Sequence, residues 1–282
     1  MSTPVFLAVM LAAALHATWN AVVKGGSDKN ASMAAVVIGH LPFALVVLPF
    51  VPAPALASLP YLIAGIALHF GYQLFLLYSY TAGDLTQVYP IARGSAPLIV
   101  AAISTLFLGV ALHPTELLAI TIIGLGILSV SLTRRQTGLR NPRGAVLALI
   151  TGCFIAAYSL VDGTGARVAG SPLGFYCALA IGNAAVMAAF MASTSPGTLG
   201  AMVRNTKRVF IFGGAASFGA YALVMWAFTH APIPLVAALR ECSIVFALII
   251  GVVVLREKLS LAKLASTAFT LIGVALLRLA KP

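Results

Sequence analysis

The sequence predicts an all-α integral membrane protein: ten transmembrane helices, arranged as two inverted five-helix repeats around a central cavity. Three observations predict it. Of 282 residues, 61% are hydrophobic and 8% charged, against about 25% charged in an ordinary soluble domain. Residues 30–83, 168–203 and 209–239 contain no Asp, Glu, Lys or Arg, and only a bilayer accommodates uncharged apolar runs of that length. Pairs of chemically similar residues recur about half a chain apart, which is the mark of an internal duplication.

Pro, Gly and charge clusters delimit the crossings. The first, 4–23, ends at Lys24-Gly25-Gly26. It has no Lys or Arg before its apolar core, so it is expected to be a retained helix, not a cleaved signal peptide. The second, 31–50, runs to the prolines at 52 and 54, and the third, 60–81, opens on Pro60. The fourth, 85–109, follows a connection of only a few residues, and the fifth, 115–133, ends at Arg134-Arg135. The sixth to tenth are placed at 144–163, 172–192, 208–230, 233–254 and 260–278. Connections as short as those at 81–84 and 230–234 force neighbouring helices into antiparallel hairpins.

At an offset of 148, Phe70-Gly71 recurs as Phe218-Gly219, and Tyr78, Tyr80, Arg93 and Ser95 pair with Trp226, Phe228, Glu241 and Ser243. Trp19 pairs with Tyr158 at 139, which implies a length difference early in one half. The halves are therefore 1–138 and 139–282. Five crossings per half make the second copy enter from the opposite side, and such inverted repeats place a site between them near the midplane.

Lys and Arg number 12 in the loops after helices 1, 5, 7 and 9, against 3 on the other face. By the positive-inside rule both termini lie outside the cytoplasm. Clusters between apolar runs, rather than a basic stripe, also explain the net charge of +11 and exclude nucleic acid as a partner. Cys153, Cys177 and Cys242 lie in apolar segments without CxxC spacing and are packing residues. Six acids in all, with no HExxH and no phosphate-cradling loop, exclude an enzyme. Nothing indicates an ATP site, a metal or another cofactor.

Arg93, Arg240 and Glu241 fall well inside crossings, where facing lipid would cost about 2.5–3.5 kcal/mol each. They must face protein or water. Arg93 and Glu241 are repeat-related, so a pseudo-twofold axis can bring them together, either as a buried salt bridge locking the halves or as a gate or substrate contact. Arg240 and Glu241 are adjacent, point about 100° apart and cannot serve one contact. Tyr89, Pro90, Gly94 and Pro97 predict a kinked or unwound fourth helix, either beside the site or purely for packing. His16, Trp19 and Asn20 share one face of the first helix, as a cavity wall or as interhelical hydrogen bonding. Tyr78, Tyr158 and Trp226 are expected to face an amphipathic ligand, whereas Tyr61, Tyr176 and Tyr221 suit the membrane interface. His40 and His69 stand alone and read as structural. Asp162-Gly163-Thr164-Gly165 reads as a helix end and a turn.

These halves, the Tyr89-Pro90-Ile91-Ala92-Arg93 stretch and Val254-Leu255-Arg256-Glu257-Lys258-Leu259-Ser260 between the last two helices resemble the EamA-type ten-helix branch of the drug/metabolite transporter superfamily. The resemblance implies a basket of inverted repeats that moves small solutes by alternating access without ATP, multi-pass in the inner membrane of a bacterium. Exporters of amino acids, including aromatic ones, of the YddG type are the nearest analogy; drug export or lipid-carrier flipping are the alternatives. The partners it implies are a small-molecule substrate and membrane lipid, with the chain a monomer or an oligomer. Small multidrug relatives rely on a glutamate in the first helix, which is absent here. If protons are coupled, Glu241 and His16 are the candidates.

Overall fold

The computed structural model describes residues 1–24, 29–83, 85–131, 141–195, 197–254, 256 and 260–279. The order is α1 (Thr3–Lys24), α2 (Lys29–Ile38), α3 (His40–Val47), α4 (Leu59–Ala82), α5 (Leu85–Leu106), α6 (Pro114–Ser131), α7 (Pro142–Val168), α8 (Pro172–Thr194), α9 (Thr198–Asn205), α10 (Gly214–His230), α11 (Ile233–Arg240), α12 (Ser243–Val253) and α13 (Leu261–Leu279). No strand occurs among the described residues. The repeat boundary at 138/139, Arg134, Arg135, Arg140 and most of the 254–260 stretch lie outside them.

Nine spans among the described residues are long and apolar enough to cross a membrane. The 22-residue α5 is not among them, because Arg93, Gln87 and two prolines lower its hydropathy. The ends of the chain show that it crosses all the same. Arg278 at the end of α13 donates from Nη2 to Thr3 Oγ1 at 2.9 Å at the start of α1, so the termini share a face and the number of crossings is even. A crossing with this polarity is tolerable because α5 is sheathed by α6, α7 and α11. Outward-facing side chains elsewhere are apolar, among them Leu7, Ile63, Leu125 and Leu271. Such a surface fits lipid rather than water.

Three crossings depart from uniform helices. The second divides at Gly39, where Pro42 has no N–H for the carbonyl of Ile38. The eighth opens with a π-helical turn over Val209–Gly213. The ninth divides after Arg240 through a turn whose amides at Glu241 and Cys242 bond three residues back, to Ala238 and Leu239. The fourth, expected to be kinked or unwound, is not unwound: it is continuous as α5, with Pro90 and Pro97 inside it. Its buried Gly94 provides close packing: a Cβ there would lie 2.8 Å from the carbonyl oxygen of Gly124 on α6.

The two irregular segments of the second and eighth crossings lie against each other. A Cβ at Gly39 would lie 2.5 Å from the Phe210 carbonyl and 3.2 Å from Gly214 Cα. Backbone atoms at those distances cannot give way as a flexible side chain can. Gly39→Ala is therefore expected to destabilise by about 1–3 kcal/mol. Gly219→Ala, whose Cβ would meet only Leu15 at 3.6 Å, is expected to be neutral or slightly stabilising. Thermal unfolding of both variants in detergent tests this; equal melting temperatures would show that the Gly39 crossing has slack.

At the opposite end of the bundle, Arg167 in the last turn of α7 donates from Nε to the Phe228 carbonyl and from Nη2 to that of Ala231, both at 2.8 Å. It thereby satisfies orphan acceptors at the end of α10. This fixes α7 against α10, and those two helices carry the centre of the cavity.

Candidate functional site

A cavity of ≈ 100 Å³ lies within the bundle, with room for several waters. Its wall comes from α1, α2, α3 and α4 in the first half and α7, α8, α10 and α11 in the second. Of the ten residues expected to line it, four do: His16, Trp19, Tyr158 and Arg240. Trp19 Nε1 donates to His16 Nδ1 at 3.2 Å. That nitrogen is thus an acceptor, which places the imidazole proton on Nε2. Asn20 turns back on its own helix, donating from Nδ2 to the His16 carbonyl at 2.8 Å, and is not in the wall.

Arg93 of α5 and Glu241, in the turn after α11, meet behind the wall, Nε to Oε2 at 3.0 Å, both buried. The approach is that of an ion pair without aligned hydrogen-bond geometry. Arg93 also reaches Ser243, Nη2 to Oγ at 3.4 Å, and Tyr89 lies half-buried one turn away. Arg240, by contrast, points into the cavity, its guanidinium 5.4 Å from the centre of the Tyr221 ring, a distance suited to a cation–π contact. Because adjacent side chains diverge by about 100°, Glu241 serves Arg93 and leaves Arg240 without a carboxylate partner among the described residues.

The aromatic residues exchange places relative to expectation. Tyr78 is 49% exposed and belongs to an outer cleft with Thr81 and Arg143. Trp226, 148 positions later in the sequence, stacks on His230 at 4.3 Å. Both sit one turn from the end of their helix, at interface depth. Tyr176 and Tyr221, expected there, are instead cavity residues whose rings lie 5.2 Å apart.

His69, Asp162 and Tyr221 form a cluster that the sequence did not suggest. Asp162 is 0% exposed, because α7 continues to Val168 where a helix end was expected. Its Oδ2 lies 2.7 Å from His69 Nε2 and accepts from Tyr221 Oη at 2.5 Å. The glycines that looked like a turn are packing positions: a Cβ at Gly163 would strike Ile233 at 2.6 Å, and one at Gly165 would strike Phe175 at 2.6 Å. Gly65 on α4 makes the room, since a Cβ there would fall 2.6 Å from Asp162 Oδ1. The face of His69 stacks on Tyr158 at 4.1 Å. Around the same space, His40 Nε2, Gln73 Oε1, Tyr176 Oη and Asn183 Oδ1 are buried without hydrogen-bond partners in the protein. Buried polar atoms are ordinarily satisfied, so four at one cavity mark a place where water or a solute completes them. No group of three His, Cys, Asp or Glu suited to a metal occurs among the described residues.

Residues 142–279 match the EamA-like transporter family. The match covers α7 to α13, which supply Tyr158, Asp162, Tyr176, Tyr221 and Arg240, and it supports reading the chain as a membrane transporter of the drug/metabolite type. No curated protein matches the sequence. A solved crystal structure superposes on 98% of this chain and 96% of its own with a TM-score of 0.72, at 17% identity. That likeness shows the fold, from end to end, and nothing about the solute.

Proposed function

We propose that the chain is a secondary transporter that exports small metabolites, amino acids including aromatic ones, by alternating access across a bacterial inner membrane. It does so as two inverted repeats, 1–138 and 139–282. The recurrence of helix ends at the sequence offset of 148 supports the repeat: Ala82 with His230, Leu85 with Ile233 and Ser131 with Leu279. A cavity walled by four helices from each half supports alternating access, because rocking one half against the other would expose it to each side in turn.

The observation that carries the substrate class is Arg240, a buried guanidinium in the wall with no carboxylate partner among the described residues. A fork of N–H donors in an apolar site calls for a carboxylate. Gln73 Oε1 and Asn183 Oδ1 supply unpartnered acceptors in the same wall, which suit an ammonium. Tyr72, Tyr158, Tyr176 and Tyr221 supply ring surface for a side chain. A zwitterion uses all three.

Purified protein in proteoliposomes should release labelled L-phenylalanine saturably. Unlabelled 3-phenylpropionate, lacking the ammonium, and phenethylamine, lacking the carboxylate, should each compete at least about tenfold more weakly, the factor set by losing one charged contact of about 1.5–3 kcal/mol. No release from folded protein would overturn the amino acid reading, and equal competition by phenethylamine would remove Arg240 from it.

A further inference from the structure

We propose that His69, held by Asp162 and Tyr221, is the proton-loading site of the cavity. The imidazole binds Asp162 Oδ2 through Nε2 at 2.7 Å. Its other nitrogen, Nδ1, has no hydrogen bond to the protein among the described residues. The ring lines the cavity and remains slightly exposed, at 13% of its side chain. The neutral ring therefore carries its proton on Nε2, toward the carboxylate, and offers the Nδ1 lone pair to cavity water. Uptake is balanced simply: hydronium in the cavity gives its proton to Nδ1, water is left, and the ring becomes an imidazolium paired with Asp162. Release to water on the other side of the membrane reverses the step.

The surroundings fit a group that changes charge, rather than a purely structural histidine. Asp162 is fully buried, and only one of its oxygens is bonded: Oδ2 takes both partners while Oδ1 has none. A carboxylate so placed gains most from a neighbour able to become cationic. The titratable groups around His69 come from α3, α4, α7, α8, α10 and α11, and His16 of α1 lines the same cavity. Tyr158 and Asp162 are on α7, and the stacked Tyr158 ring favours an imidazolium as it would any cation. Tyr221 on α10 meets His69 edge-on at 5.4 Å, with Tyr176 of α8 behind it. Tyr72 lies on the same helix, and His40 on α3 faces it across the cavity. Arg240 on α11 also lines the cavity, and Arg93 is paired with Glu241 behind its wall. The charges set deep in the bundle thus balance with His69 neutral, and the proton is the increment that the cavity gains and loses.

The test has two arms, one independent of any substrate. ¹⁵N NMR of histidine-labelled protein in detergent reports ring protonation directly. The signal lost in His69→Gln should pass from neutral to cationic as pH is lowered from about 8 to about 5, and in Asp162→Asn the ring should stay neutral throughout. Should His69→Gln fail to fold, replacing the other four of the five histidines leaves His69 as the single signal. A ring that keeps one charge state over that range overturns the proposal, as does a titration indifferent to Asp162→Asn.

The second arm rests on the transporter reading. With the membrane potential clamped, a gradient of one pH unit should drive about tenfold accumulation of labelled L-phenylalanine in proteoliposomes, for one proton per solute. In His69→Gln the accumulation ratio should fall to one. Phenylalanine flux that ignores the gradient would overturn coupling at His69 while leaving transport intact. Absence of any flux would count against the amino acid reading alone, with the NMR result still deciding the site.

Discussion

Glu241→Gln is expected to lower stability by about 3–5 kcal/mol, because it leaves the buried Arg93 guanidinium without its counter-charge. The pair lies almost wholly out of solvent, 7% and 4% exposed by side chain, at 3.0 Å. Ser243 Oγ, 3.4 Å from Arg93 Nη2, is a neutral acceptor and cannot replace a carboxylate. Thermal or denaturant unfolding in detergent reads the loss. Replacing both partners with Met should restore most of it, since removing a buried pair outright is often neutral or better. That double variant also separates the two roles open to the pair. As a lock it leaves transport in the restored protein, whereas as a gate it yields a stable protein with altered flux. A single variant as stable as the wild type would mean that water reaches Arg93.

This pair was legible in the sequence for a physical reason. Two charges in long uncharged runs must find each other or water, and the offset of 148 tells which two halves bring them together. The crossings were legible too, because hydropathy measures what lipid requires. Breaks inside crossings were not. Prolines in the fourth helix suggested a kink or unwinding, but α5 stays continuous where neighbours sheath it, and the ninth crossing divides without a proline inside the turn. His69 looked solitary because its partner lies 93 residues away. Asp162 looked like a loop residue because the glycines after it signal a turn in water. In a membrane bundle the same glycines let helices approach closely, as Gly163 and Gly165 do. The available signal was the apolar continuation through Ala166 and Val168. Depth misplaced the tyrosines similarly: composition alone cannot tell a ring one turn from a helix end, such as Tyr78, from one in the middle of its crossing, such as Tyr221.

Arg240→Met is expected to weaken L-phenylalanine transport more than any other change in the cavity wall. Met keeps the length and apolar stem and removes only the guanidinium, so packing against Tyr221 survives while the carboxylate contact does not. Loss of one partner from a desolvated charge pair is worth about 2–5 kcal/mol, or a rise of about 30-fold or more in the concentration for half-maximal uptake. Arg240→Lys should recover part of this, since a point charge replaces a two-pronged fork. The decisive comparison is between competitors. 3-Phenylpropionate, which keeps the carboxylate, should lose its remaining competition in Arg240→Met, and phenethylamine, which has none, should compete as well as before. A variant that weakens both ligands alike would place Arg240 among the residues that shape the cavity rather than those that hold the solute. The adjacent Glu241 provides the contrast. Its side chain faces Arg93 and not the cavity, so in the stable double Met variant the preference for carboxylates should remain. One peptide bond thus separates the guanidinium in the cavity wall, proposed to hold the solute, from the carboxylate that pairs with Arg93 behind it.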